Sequence, residues 1–224
     1  MTIAEKLTAI ANKLVDVFNA GKKKQYDEFW DSYQNEGKRK DYRYAFYGEG
    51  WNIATLKPKH TIKPKDANYM FYLCGHDGAL EESVLDLSGA STLIRCFEKA
   101  KFTELGTIDV SNAAAINNLF VNMPNLHTIK KFIIGDNWNI TFDNIFTECT
   151  NLVNIEVQGI LGGDVVFSDC HKLSKESITS IINALDTRDG WVLSLSEDAV
   201  TNAFTETEWN ELIGTRGLWE ITLE

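Results

Sequence analysis

Five phenylalanines, Phe71, Phe97, Phe120, Phe146 and Phe167, recur through the chain with apolar residues at fixed distances behind them. Three residues after each comes Cys74, Ala100, Met123, Cys149 or Cys170, and six after the last three come Leu126, Leu152 and Leu173. The intervals between them are 26, 23, 26 and 21 residues. A unit this short cannot bury an apolar face alone, so it must stack on its neighbours, the sequence signature of a solenoid. Each unit reads as a short helical or irregular turn around the Phe, then a small-residue corner such as Asn125-Leu-His-Thr-Ile or Asn151-Leu-Val-Asn-Ile, then a strand. The strands predicted over 84–88, 107–111, 131–135 and 154–158 form a parallel ladder spaced about 5 Å apart.

Both ends depart from the period. Leu7, Ile10, Leu14 and Val17, with Ile3, make one apolar stripe on a helix over 4–19. The stripe serves either to pack against the body or a partner protein, or to join copies of the chain through residues 3–18. Tyr26, Phe29, Trp30 and Tyr33 share one face of a second helix over 23–34. Phe46 precedes Phe71 by 25 residues, and Asp41-Tyr-Arg-Tyr-Ala-Phe-Tyr repeats the pattern of Asp66-Ala-Asn-Tyr-Met-Phe-Tyr, marking a degenerate opening repeat. After Cys170, Ser174 caps a helix over 175–185. Trp191-Val-Leu-Ser-Leu and Leu218-Trp-Glu-Ile-Thr-Leu read as strands, and Ser196 and Thr205 as caps of two short helices. The organisation expected is an aromatic helical N-terminal cap with its degenerate repeat over 1–65, repeats over 66–175 and a helix-and-strand cap over 176–224.

The net charge of −10 is unevenly spread, +4 over residues 1–66 and −14 over residues 67–224. An acidic body repels nucleic acid, whose phosphates need clustered Lys and Arg. The basic runs Lys22-Lys-Lys24 and Lys38-Arg-Lys40 read as solvated loops or helix ends. Nothing approaches eighteen consecutive apolar residues, and the start Met1-Thr-Ile-Ala-Glu-Lys-Leu is charged where a signal peptide is apolar. Synthesis and retention in a cytoplasm are expected, without membrane insertion, unless lysis or a dedicated machine releases the chain. Cys74, Cys149 and Cys170 share one packing position and read as core thiols, although Cys149 and Cys170 belong to successive repeats and stand close enough in sequence to bridge.

The run Phe146-Thr-Glu-Cys-Thr-Asn-Leu-Val-Asn-Ile, with Phe, Cys, Leu and Ile at three-residue steps, resembles the BspA-like class of bacterial leucine-rich repeats. The resemblance covers about residues 66–175. It implies an α/β fold, a right-handed leucine-rich-repeat solenoid with a parallel strand ladder between a helical N-terminal cap and an α/β C-terminal cap. It also implies surface display and recognition of protein or glycan, with no catalytic residues to carry over. Met1-Thr-Ile-Ala-Glu-Lys-Leu, Asn19-Ala-Gly and Tyr26-Asp-Glu-Phe-Trp resemble the start of proteins found near prophage tail genes in gut Firmicutes. The missing secretion signal favours a phage particle over the cell surface.

No constellation of catalytic groups is legible, and no cofactor is implied. His60, His76, His127 and His171 are scattered, and Cys74-Gly-His and Cys170-His are isolated pairs where a zinc site needs about four ligands. The candidate binding face is the outward side of the strand ladder, where Asp86, Asp109, Ile133 and Glu156 alternate with inward residues. Stacking Asp86 over Asp109 opposes like charges, which either a binding role or simple solvation explains. A ligand there would be cationic, a divalent ion or a sugar. Replacing both aspartates by Ala is expected to leave folding intact and to weaken binding.

Overall fold

The structure, a computed structural model, describes residues 41–48, 61–135, 140–142, 144–187, 190–214 and 219–224. The helices expected over 4–19 and 23–34, the stripe at 3–18, the basic runs and most of the segment 1–65 lie outside the described residues.

The recurring Phe builds a column. Rings of Phe46, Phe71, Phe97, Phe120, Phe146 and Phe167 lie nearly parallel, with successive centroids 5.1, 5.2, 5.8, 5.4 and 4.4 Å apart. Phe102 packs edge-on against Phe71 and Phe97, and Phe132 against Phe120 and Phe146, the geometry favoured by ring quadrupoles. Phe46 therefore continues the spine one unit towards the N-terminus. The segments around the first five rings are chains of turns, because residues two before and two after the Phe take positive φ. Tyr44, Tyr69, Arg95, Asn118 and Asn144 do so on one side, and Leu73, Lys99, Asn122 and Glu148 on the other. For residues other than Gly and Asn such backbone is unfavourable by about 1 kcal/mol each. It is offset by a backbone ladder between units: Ala67, Tyr69, Phe71 and Leu73 donate to the carbonyls of Thr92, Ile94, Cys96 and Glu98, and Leu93, Arg95, Phe97 and Lys99 to those of Ala115, Asn117, Leu119 and Val121.

Opposite the Phe column runs a parallel sheet of β1 (Ala79–Leu80), β2 (Glu104–Asp109), β3 (Thr128–Ile133) and β4 (Asn154–Gln158), hydrogen-bonded in that order. β2 and β3 begin three residues before the strands read from the sequence, and the expected strand at 84–88 contracts to a single bridge between Ile62 and Leu85. Spacing explains the shift. Leu105 and Ile108 in β2, like Ile129 and Phe132 in β3, are buried three residues apart, whereas Ile155 and Val157 in β4 are two apart. β3 absorbs the mismatch as an irregularity between Ile129 and Phe132, where Lys130 and Lys131 point outward.

A second parallel sheet, β5 (Val165–Phe167), β6 (Val192–Leu195) and β7 (Glu220–Leu223), follows with helices α1 (Lys175–Asn183), α2 (Glu197–Ala203) and α3 (Glu206–Gly214). Ser174 starts α1 by accepting from the Ser177 amide. The helix then occupies the place of a fifth strand beside β4: Ser177 and Ser180 hydroxyls accept from the amides of Ile155 and Val157. They donate back to the carbonyls of Val153 and Val157, so β4 has no open edge here. Thr205 and Glu208 form a reciprocal capping box at α3. Ser196 precedes α2 without a side-chain cap bond. The chain is a mixed α/β protein with parallel sheets. Cys74, Cys96, Cys149 and Cys170 are all buried free thiols, and burial pushes Cys149 up to about 12, so these thiols pack and do not bridge.

Candidate functional site

The outward strand positions are occupied largely by internal bonds. Asp86 accepts from the Ser88 amide and hydroxyl at 3.0 and 2.6 Å and pairs with Lys63 at 2.9 Å. The Ser88 hydroxyl and Lys63 ammonium hold its carboxyl below the usual range. Asp109 accepts from the Ser111 amide at 2.9 Å in the same local turn. Both carboxylates therefore close a local turn, Asp109 at the end of β2 and Asp86 just after the Leu85 bridge. Ile133 stands beside Asp109 on one side and Gln158 on the other. Glu156 thus leaves the row. Ile155 pairs with Ile129 and not with Phe132, and after the one-residue irregularity in β3 it is Gln158, not Glu156, that stands beside Ile133. Glu156 instead accepts from Gln158 Nε2 and lines an open cleft of about 610 Å³ with Lys175, Glu176, Thr179, Ser180 and Asn183.

Among the described residues the most exposed aromatic surface lies on the turn edge. Tyr44 and Tyr69 stand two residues before successive Phe residues and stack with centroids 4.9 Å apart, and Tyr47 and Tyr72, one residue after, stack at 5.6 Å. The two stacks meet edge-to-face, Tyr44 against Tyr47 at 5.9 Å and Tyr69 against Tyr72 at 5.7 Å. The result is a two-by-two array. Tyr44 and Tyr47 are 54% and 48% exposed, among the most exposed large aromatics. Its geometry follows from the turns: positive φ at Tyr44 and Tyr69 throws their side chains outward while the neighbouring Phe points in.

Ion pairs border the array. Arg43 binds Asp41 in a fork, Nε and Nη2 donating to the carboxylate at 2.9 and 2.6 Å, and lies 3.6 Å from Asp66. Beyond Tyr69 and Tyr72 the same two positions hold Arg95 and Glu98, 3.1 Å apart, with Lys99 3.8 Å from Glu98 and 5.9 Å from the Tyr72 ring centre. Glu98 is buried, and its Oε2 has the Arg95 ion pair but no well-formed hydrogen bond among the described residues.

No family model, curated protein or solved structure matches this chain.

His171 Nδ1 lies 3.0 Å from Ser196 Oγ and His127 Nδ1 lies 3.0 Å from Thr128 Oγ1. Ser196 is 1% exposed, and no carboxylate is bonded to either ring among the described residues, so neither pair has the third member of a nucleophile triad. Among the described residues no group of three His, Cys, Asp or Glu could hold a metal ion, and no helix is long and apolar enough to cross a membrane.

The tyrosines carry a signal that the sequence reading passed over. Aligned on the Phe, their two positions hold Arg95 and Glu98, Asn118 and Val121, then Asn144 and Thr147 in later units. Glu98 is recessed in its ion pair, but Arg95, Asn118, Asn144 and Thr147 are polar and not buried, and that separates these tyrosines from core aromatics.

Proposed function

We propose that this chain is a non-catalytic recognition module, a right-handed solenoid of BspA-like leucine-rich repeats that binds protein or glycan, displayed on a surface or a phage tail. The stacked Phe column, the unit-to-unit backbone ladder and the parallel sheet support the repeat architecture. One observation carries the function. Four tyrosines form a continuous outward array on a chain whose cysteines are buried and whose strand-face aspartates serve their own turns. Exposed, mutually rigidified aromatics are favoured anchors in recognition surfaces because they bring large contact area with little side-chain freedom to lose.

The test uses the whole immobilised chain against two probe sets, an array of oligosaccharides and a displayed library of random linear peptides. At least one probe is expected to bind the chain and to lose binding to the Tyr44→Ser/Tyr47→Ser variant. Binders unaffected by that variant would move the site elsewhere, and the cleft beside Glu156 would be the next surface to probe.

A further inference from the structure

The tyrosine array combines with the ion pairs around it in a way that narrows the ligand. We infer that the occupant of this face is an acidic polypeptide segment, an assignment that rests on the recognition reading above.

Ring faces are the first consideration. A sugar or a nucleobase binds an aromatic platform through its flat face. Here the faces of Tyr44 and Tyr69 are turned on each other at an interplanar angle of 16°, and those of Tyr47 and Tyr72 at 5°. The edge-to-face contacts between the stacks cover part of what remains. Each stack thus covers one face of both its rings, and beside the outer faces of Tyr44 and Tyr47 the array carries ring edges, the positive side of the quadrupole, and phenolic hydroxyls, which donate. The edges and hydroxyls favour hydrogen-bond acceptors.

Charge points the same way. The side chains of Arg43, Arg95 and Lys99 are 39–47% exposed, whereas their partners Asp41, Asp66 and Glu98 are recessed at 6–29%. The face is balanced in formal charge yet shows the solvent its cations. Arg43 engages Asp41 through Nε and Nη2, and Arg95 engages Glu98 through Nη1, so each guanidinium keeps N–H groups directed to neither carboxylate. Carboxylates spaced along a peptide would take those donors and the tyrosine hydroxyls together. Residues 67–224 carry a net charge of −14, and against that acidic background this face turns Arg43, Arg95 and Lys99 to the solvent, where an acidic partner meets cations. Tyr and Arg together are also the residue types that concentrate binding energy in protein interfaces.

The experiment selects binders to the whole chain from a displayed library of random linear peptides. In parallel it tests neutral and uronic-acid oligosaccharides, and measures self-association by sedimentation. The expected result is enrichment of Asp and Glu in the selected peptides. Binding should fall about tenfold or more in Tyr44→Ser/Tyr47→Ser and in Arg43→Gln/Arg95→Gln, and should weaken as salt is raised. Should the serine variant lose its fold by circular dichroism, Tyr44→Phe/Tyr47→Phe keeps the stacks, removes only the hydroxyls, and is expected to weaken binding about threefold or more. Peptides without acidic enrichment, or acidic peptides indifferent to both variants, overturn the inference. Tyrosine-dependent capture of an oligosaccharide overturns the polypeptide class and leaves the recognition reading standing. Tyrosine-dependent dimerisation gives the face to a second copy and also overturns it. A chain that binds no probe and does not self-associate removes the recognition reading itself.

Discussion

The phenylalanine column and the tyrosine array are built from the same turns, one facing in and the other out, yet they persist over different lengths. Six successive units keep Phe in the spine, from Phe46 to Phe167. The outward positions hold tyrosine pairs in only two units and then change to Arg95 with Glu98, Asn118 with Val121 and Asn144 with Thr147. Inside, each ring is packed against its predecessor and successor, so changing one disturbs three units. Outside, a side chain touches its neighbours on one side and water on the other, so each position is free to differ. The inward position thus keeps one residue type along the column, and the outward positions gather their tyrosines at one end of it.

The contrast breaks most directly at one ring. Phe97 is fully buried between Phe71 and Phe120, with Phe102 edge-on. Phe97→Ala is expected to cost about 4 kcal/mol by urea unfolding, whereas Tyr44→Ser, which loses part of two ring contacts at an exposed site, should cost less than about 1 kcal/mol. Similar losses at the two positions would mean that the array is part of the core.

A glycine pair sharpens the same point in the backbone. Gly159 has φ +103°, and a Cβ there would lie 1.9 Å from the Ile134 carbonyl oxygen of the adjoining strand. Gly190 has φ +92° and open space around it. Gly159→Ala should cost about 3 kcal/mol, combining conformational strain with displacement of backbone, and Gly190→Ala about 1 kcal/mol from conformation alone. Equal effects would show that unit-to-unit approach at Gly159 is looser than the geometry requires.

Much of this was legible in the chain because a Phe with Cys and Leu at three-residue steps has one way to bury itself repeatedly. The helix after Ser174 and the strand before Ser196 were readable from spacing too, since Ile178, Ile181 and Ile182 repeat at helical intervals. Strand register was harder to read. Ile129-Lys-Lys-Phe and Ile155-Glu-Val differ by one residue between buried positions, and only the pairing reveals that β3 absorbs the difference and that Ile155 stands beside Ile129, which leaves Gln158 and not Glu156 beside Ile133. Residue type alone does not orient the tyrosines, because Tyr is compatible with core and surface alike. Comparison between units does, through the polar residues at the same two positions.

The strand-face aspartates test a different half of the comparison, outward residues that serve structure. Asp86→Ala removes the acceptor for the Ser88 amide and hydroxyl and the partner of Lys63, and should cost about 1 kcal/mol near neutral pH. The Asp86 carboxyl is depressed in the folded state, so the stabilisation is present above about 3.8 and is lost as pH falls through the folded value. Urea midpoints should therefore converge for wild type and variant on acidification. A constant gap across that range would refute the turn-closing role.

Glu208 offers the smallest and most local effect. Its carboxylate pairs with Lys175 across α3 and α1 at 2.6 Å and accepts from the Thr205 amide and hydroxyl at 2.9 and 3.0 Å. Lys175 first, and the Thr205 groups with it, hold the carboxyl down to about 2 from an ordinary 4.5. A depressed folded value means that the contact contributes above about 4.5 and disappears as pH falls towards about 2. Because the pair is exposed, the change should appear as local loosening of α3 in amide exchange, with the Phe spine unaffected, and should shrink in high salt. Glu208→Gln should already show the loosened exchange at neutral pH and change little on acidification. A side-chain NMR midpoint close to 4.5 would place Glu208 in water, leaving α3 held by the partly buried Trp209 and Leu212 at its inner face.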